Sequence, residues 1–272
     1  MSALTLASAP EDATALEAAE AHHARMAGEL AGRVAMLLTA ANRDPDAAER
    51  IRAGLVAFCD REILPHAIAE EAALYPAARR LPDSRLLVES LIAEHSCLTA
   101  LVDALRTPSD VTGAAADARA LQVFFEEHVA KENGLVLPLL AAAPGLRLAD
   151  LLASMHDRLE HRTRSGGGPG ADSHTAAQEN GEETGCGGGC GCGGEEEAAE
   201  PELDVRSVPH ALRHATVFGA LDAVQAGQAM VLVAPHDPLP LLGQIEQRNP
   251  GRFAVEYLQR GPEAWRLRLS HH

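Results

Sequence analysis

Lysine is nearly missing from this chain. Lys131 is the only one among 272 residues, and arginine carries almost all the positive charge, which reads as coding bias rather than function. Positive charge is in deficit altogether: the net charge of −16 would be repelled by phosphates, so nucleic acid is excluded as a partner. Aromatic residues make up only 3%, while alanine is abundant, which favours helices packed closely on small side chains. No run is long and apolar enough for a membrane span, and the first residues lack the basic start and apolar stretch of a signal peptide. The five cysteines are an odd number without a disulfide framework, so the expectation is a cytosolic, thiol-reduced protein with no membrane partner. What is plentiful is apolar surface. A hydrophobic content of 46% supports a real core, and the length leaves room for two domains.

The pattern divides the chain in three. Residues 12–161 hold four long amphipathic runs, about 11–41, 46–80, 84–106 and 112–142, separated by short breaks at Asn42-Arg43-Asp44-Pro45, Leu81-Pro82-Asp83 and Thr107-Pro108. Short connections make antiparallel neighbours, which predicts an all-α up-down four-helix bundle. A fifth helix over about 147–161 is expected across one end. Residues 163–200 form a glycine-rich, acidic tract that cannot bury a core, read as a flexible linker. As a coil it would span roughly 35 Å root-mean-square. Residues 202–270 regain order as β-α-β-α-β-β, a small two-layer α/β sandwich.

Histidine and glutamate recur through the bundle. The chain reads His23, then His66-Ala-Ile-Ala-Glu70, then His95, then His128-Val-Ala-Lys-Glu132, each on a separate helical run. A His and a Glu at i,i+4 lie one above the other on one helix face. Each candidate shares its face with apolar residues: His23 with Met26, Leu30, Val34 and Leu37, and His128 and Glu132 with Leu121, Phe125, Leu135 and Leu139. His22 lines up with Glu29 and Arg33 and is expected to face solvent, though the adjacent pair leaves the first-helix ligand open. Glu71 and Glu127 fall one residue off the inward register, toward solvent or a supporting role. Six such donors on four inward faces suit iron better than magnesium or calcium, which prefer oxygen shells.

With these segments the chain resembles the hemerythrin-like (HHE cation-binding) family. The two stretches His66-Ala-Ile-Ala-Glu70-Glu71-Ala-Ala-Leu74-Tyr75-Pro76 and His128-Val-Ala-Lys-Glu132-Asn133-Gly134-Leu135-Val136-Leu137-Pro138 are similar to its signature helices. The resemblance implies a four-helix bundle with two non-haem iron ions (Fe2+/Fe3+). His23, His66, His95 and His128 would be terminal ligands, with Glu70 and Glu132 bridging. Oxygen-carrying members place another histidine four residues after the third-helix one, where this chain has Thr99. A site short of one ligand favours reaction or exchange with small molecules over storage.

Cys59 and Cys97 read as packing residues, whereas Cys186, Cys190 and Cys192 sit in the glycine-rich tract and form a candidate thiol site. The C-terminal segment resembles the DUF2249 family (a domain of unknown function), through Leu203-Asp204-Val205-Arg206, Arg213-His214, His236-Asp237-Pro238 and Gly261-Pro262-Glu263-Ala264-Trp265. Its order is similar to the TusA-like sulfur-carrier fold, but Arg206-Ser207-Val208-Pro209 supplies no thiol where such carriers have one. Arg206, Arg213, His214, His236 and Asp237 are a candidate pocket for a small anion or metal. The functional expectation is a di-iron protein that binds or processes O2, nitric oxide or peroxide under redox or nitrosative stress. The alternatives are an iron donor to an apo iron–sulfur protein, a redox or gas sensor working with a redox partner, and a peroxidase or nitric-oxide reductase.

Overall fold

The structure, a computed structural model, describes residues 9–82, 84–108, 110–165 and 200–272. The candidate thiols Cys186, Cys190 and Cys192, and the tract read as a linker, lie outside the described residues apart from its two ends.

The N-terminal part is the expected bundle. Helix α1 (Pro10–Ala41) runs the full length. The second rod is composite: α2 (Pro45–Phe58), a π turn (Cys59–Ile63), α3 (Leu64–Ala73) and the short α4 (Tyr75–Ala78). Helix α5 (Arg85–Arg106) is the third rod, and the fourth joins α6 (Val111–Lys131), a second π turn (Glu132–Val136) and α7 (Leu137–Ala142). The starts follow from local chemistry. Asp44 accepts from the Ala47 amide at 2.9 Å, with Pro45 in the first turn, and Asp110 accepts from the Gly113 amide at 2.7 Å. The fifth helix, α8 (Leu148–Ser165), runs into the start of the tract read as a linker, and packs against α1 and α3. It is seated by Asp12 of α1, whose Oδ1 accepts from the Ala149 amide at 2.9 Å.

A proline follows each π turn after one intervening leucine. The Leu64 amide bonds back to Cys59 O and the Leu137 amide to Glu132 O, and Pro65 and Pro138 come next. A proline has no N–H for the α-helical ladder, so a widened turn before it absorbs the fault. The extra residue shifts the register of everything beyond. Leu135 and Leu139, expected inward with His128 and Glu132, are therefore 48% and 37% exposed, and Val136, Leu137 and Leu140 are buried in their place.

The C-terminal part has strands β1 (Glu202–Asp204), β2 (Ala229–Ala234), β3 (Phe253–Gln259) and β4 (Trp265–His271), with α9 (His210–Leu221) and α10 (Leu239–Arg248) between them. The sheet order is β1-β2-β4-β3, parallel between β1 and β2 and antiparallel elsewhere. Strand β2 is buried along its whole length, as a central strand with an uninterrupted apolar sequence should be. Its Met230, Leu232 and Ala234 belong to the same apolar core as Leu30, Leu37 and Leu121 of the bundle.

That shared core passes through α9, which lies against α1. A Cβ on Gly32 would sit 2.1 Å from Thr216 O, and one on Gly219 would sit 2.2 Å from Glu29 O, so both helices approach on glycine because no side chain fits. A buried polar lock borders this contact. Arg33 of α1 donates to Asp222 at 2.8 Å and to its own helix at Glu29 O, while its guanidinium lies 4.4 Å over the Phe58 ring. Arg248 of α10 reaches Glu29 and Asp222 from the other side, at 3.6 and 3.5 Å.

Candidate metal centre

The four rods bring all six predicted residues together, and all six are buried. The imidazoles meet in two pairs, His23 with His66 and His95 with His128, each with Nε2 atoms 3.0 Å apart. Glu70 spans the pairs. Its Oε1 is 2.9 Å from His66 Nε2 and 3.5 Å from His23 Nε2, and its Oε2 is 3.5 Å from His95 Nε2. Glu132 offers Oε2 to His128 and His23, at 3.6 and 3.9 Å. The donors form two overlapping clusters, His23-His66-Glu70 and Glu70-His95-His128-Glu132, within each of which the ligand atoms lie within 4.8 Å of one another.

The outward nitrogens show which atoms face inward without a proton. His23 Nδ1 donates to Asn133 Oδ1 at 2.7 Å, His95 Nδ1 to Glu71 at 2.8 Å, and His128 Nδ1 to Glu94 at 3.0 Å. A neutral imidazole carries one N–H, so these bonds leave Nε2 of His23, His95 and His128 as bare lone pairs. Two bare lone pairs 3.0 Å apart repel unless a cation or a proton lies between them. The carboxylates agree: Glu70 Oε1 and Glu132 Oε2 are buried and make no well-angled hydrogen bond, although ring nitrogens lie close by. The donor set fits a cation, and its outer hydrogen bonds are of the kind that orients metal-ligating histidines.

Protonation follows the same geometry. Burial pushes the Glu132 carboxyl up, and the neighbouring Glu70 charge pushes it further. Burial also raises Glu70, but His66, His23 and His95 outweigh it and hold that carboxyl well below the usual range. Burial lowers His95, yet Glu70 and Glu71 raise it overall. Burial lowers His128 and dominates over Glu94. With no cation at hand, Glu132 and His95 hold a proton to higher pH than ordinary side chains of their kind.

Three contributors were not assigned from the sequence. Tyr75, buried and stacked on His95 with ring centroids 5.5 Å apart, donates its hydroxyl to Glu132 Oε1 at 2.7 Å. Burial and the Glu132 charge push its phenol far up, so it remains a donor. Asn133 orients His23, and Glu94 orients His128 while Lys131 pairs with it at 2.6 Å. Asn133 and Glu94 each adjoin a predicted ligand in the sequence, and that adjacency was the available signal.

Two expectations need correcting: His22 as a solvent-facing residue and Cys97 as a packing residue. His22 is not turned to solvent: its ring centroid lies 5.0 Å from that of His66, and burial with the nearby His66 and Arg25 charges pushes its pKa down to about 3. It cannot replace His23, whose Nε2 is the one that joins the cluster. Glu71 takes the supporting role on His95. Thr99 turns its hydroxyl back to His95 O at 2.9 Å, so it brings no donor to the site. Cys59 is a buried core thiol, pushed up to about 12 by burial, and Cys97 is exposed.

The C-terminal candidates divide. Arg213, His214 and His236 share a cavity of about 270 Å3 with His210 and apolar residues. Arg206 instead pairs with Asp204 at 2.7 Å, and Asp237 accepts from the Tyr257 hydroxyl at 2.9 Å. Arg213 is also engaged, donating to Val208 O at 2.8 Å. Among the described residues, this cavity holds no cluster of metal-ligating side chains like that of the bundle. No helix among the described residues is long and apolar enough to cross a membrane.

Neither the curated proteins nor the solved structures contain a match to this chain. Family comparison is positive for both parts. Residues 14–140 match the Hemerythrin HHE cation binding domain, and residues 202–271 match the Uncharacterized conserved protein family DUF2249. The matched spans hold all six donors and the whole sheet, and the chain joins a hemerythrin HHE cation-binding domain to a DUF2249 domain.

Proposed function

We propose that His23, His66, Glu70, His95, His128 and Glu132 hold two non-haem iron ions, and that the protein binds or processes O2 or nitrogen oxides in a redox or nitrosative stress response. One observation carries this reading: two donor clusters overlap on Glu70, which turns one oxygen to each. Imidazole mixed with carboxylate suits iron among the metals that accept such donors. A reduced iron pair supplies electrons and open coordination positions for a diatomic ligand.

The chain's own groups fit that task. Asn133, Glu71 and Glu94 fix three rings, so that Nε2 of His23 faces His66 and the Nε2 atoms of His95 and His128 face each other. The Tyr75 hydroxyl occupies Glu132 Oε1, leaving Glu132 one free oxygen where Glu70 has two. The two ends of the centre are thereby unequal, which favours exchange at one of them. A cleft lined by His23, His66 and Glu70 reaches that end from the surface, on the side of α8.

The test is metal analysis and absorption spectroscopy on protein purified without air. Two irons per chain, and a new charge-transfer band on adding O2 or nitric oxide with iron retained, support the proposal. Iron lost to an apo iron–sulfur protein would favour the donor alternative instead. A site that takes up only zinc under iron-replete conditions would overturn the iron assignment.

A further inference from the structure

Of the four histidines in the centre, three have an acceptor for Nδ1–H among the described residues, and the fourth does not. His66 Nδ1 is buried and has no hydrogen-bond partner among the described residues. The nearest ring cannot serve. His22 Nδ1 lies 3.2 Å from Arg25 Nη2 and accepts from it, so the other nitrogen of the neutral His22 ring carries the proton. His22 adds a second donor, not an acceptor.

His66 borders a cleft of about 410 Å3 between α1 and α8, walled by Ala15, Ala19, Leu152, Met155 and Leu159. A diatomic ligand needs far less room: a cavity of about 150 Å3 already accepts benzene, and pockets for small organic molecules begin near 300 Å3. Helix α8 lies beyond residues 14–140, so the wall it provides is no part of the matched domain. The helix is held in place by the Asp12 cap and by the buried Leu148 and Met155.

We propose that this cleft binds a small, mainly apolar organic molecule carrying a hydrogen-bond acceptor, which it presents to His66. The inference rests on the reading of His66 as a metal ligand through Nε2, which makes Nδ1 the protonated nitrogen. The apolar walls take the body of the molecule, and its acceptor completes His66 Nδ1–H, a buried donor left unpaired among the described residues.

The test uses the full chain loaded with zinc, which is diamagnetic and suits NMR. Zinc content is measured first. Cyclohexanone and cyclohexane, matched in shape but differing in the acceptor, are then titrated by ligand-observed NMR. Cyclohexanone is expected to bind at least about tenfold more tightly. Ala19→Phe fills the cleft and should weaken both ligands at least about tenfold with zinc content unchanged. If circular dichroism shows that variant unfolded, Leu152→Phe on the opposite wall replaces it, with the same result expected. Equal affinity for the two ligands, no binding of either, or indifference to both substitutions overturns the cleft proposal while the metal reading stands. Failure to take up either zinc or ferrous iron overturns both; a chain that takes up iron alone is titrated in the ferrous form by calorimetry, with the same results expected.

Discussion

The Tyr75 hydroxyl donates to Glu132 Oε1 at 2.7 Å, across 57 residues of sequence and between two different rods of the bundle. The bond decides how many oxygens Glu132 presents to the centre. Tyr75→Phe keeps the ring stacked on His95 but leaves Oε1 without its donor. Metal-free protein should lose about 1–3 kcal/mol, the range for a buried acceptor stripped of its partner, measured by urea unfolding. An unchanged midpoint and slope would show that the bond contributes nothing.

Ring orientation gives a second prediction. Asn133→Ala removes the acceptor that holds His23 and should cost about 10–100-fold in metal affinity by chelator competition. Thr99→Ala is the control, because its hydroxyl serves its own helix. Its affinity should match the parent's.

Protons compete with metal at this site. Burial and Glu70 raise Glu132, so its carboxyl holds a proton in the metal-free protein at pH values where an ordinary glutamate is ionised. Metal must displace that proton, and apparent affinity should rise with pH, with about one proton or more released per chain loaded. An indicator dye in weakly buffered solution reads this directly. The folding sign follows from the same shift: a raised folded-state value contributes stability below the unfolded value of about 4.3 and loses it as pH climbs through the folded one. In the metal-free state Glu132→Gln should therefore lose less stability than the parent as pH rises.

The α1–α9 contact is tested by two glycines on different helices. Gly32→Ala places a methyl against Thr216 O and should destabilise by about 1–3 kcal/mol despite alanine's better helix propensity. Gly54→Ala meets nothing within 4 Å and should stabilise by about 0.5–1 kcal/mol. Thermal unfolding of both variants checks the pair.

Much of this was legible before any coordinates. Helical periodicity in long amphipathic runs gives the rods, and His66/Glu70 and His128/Glu132 at i,i+4 give the inward donors. The uninterrupted apolar run Ala229–Ala234 marks a central strand. What escaped has physical reasons. The inward assignment of Leu135 and Leu139 assumed an even 3.6-residue period, and the π turn at Glu132–Val136 breaks it by one residue. Pro138 was the clue, since a proline that does not end a helix must be accommodated upstream. Tyr75 was visible as part of a motif, but its role depends on a partner in another rod. The core shared by the bundle and the sheet was not foreseen, because Gly28-x-x-x-Gly32 and Ala215-x-x-x-Gly219 let two backbones touch, and small residues leave little trace in a hydrophobicity pattern.

Helix α1 thus belongs to both halves of the molecule, carrying His23 toward one end and the bed of α9 farther along. Neither half is a finished body. Cut between Ser165 and Glu200, the chain would yield one fragment with a bare glycine furrow and another with Val217 and Ala220 stripped of cover. Two such pieces should find each other again in solution without any covalent connection, held by the same notch and the same buried arginine.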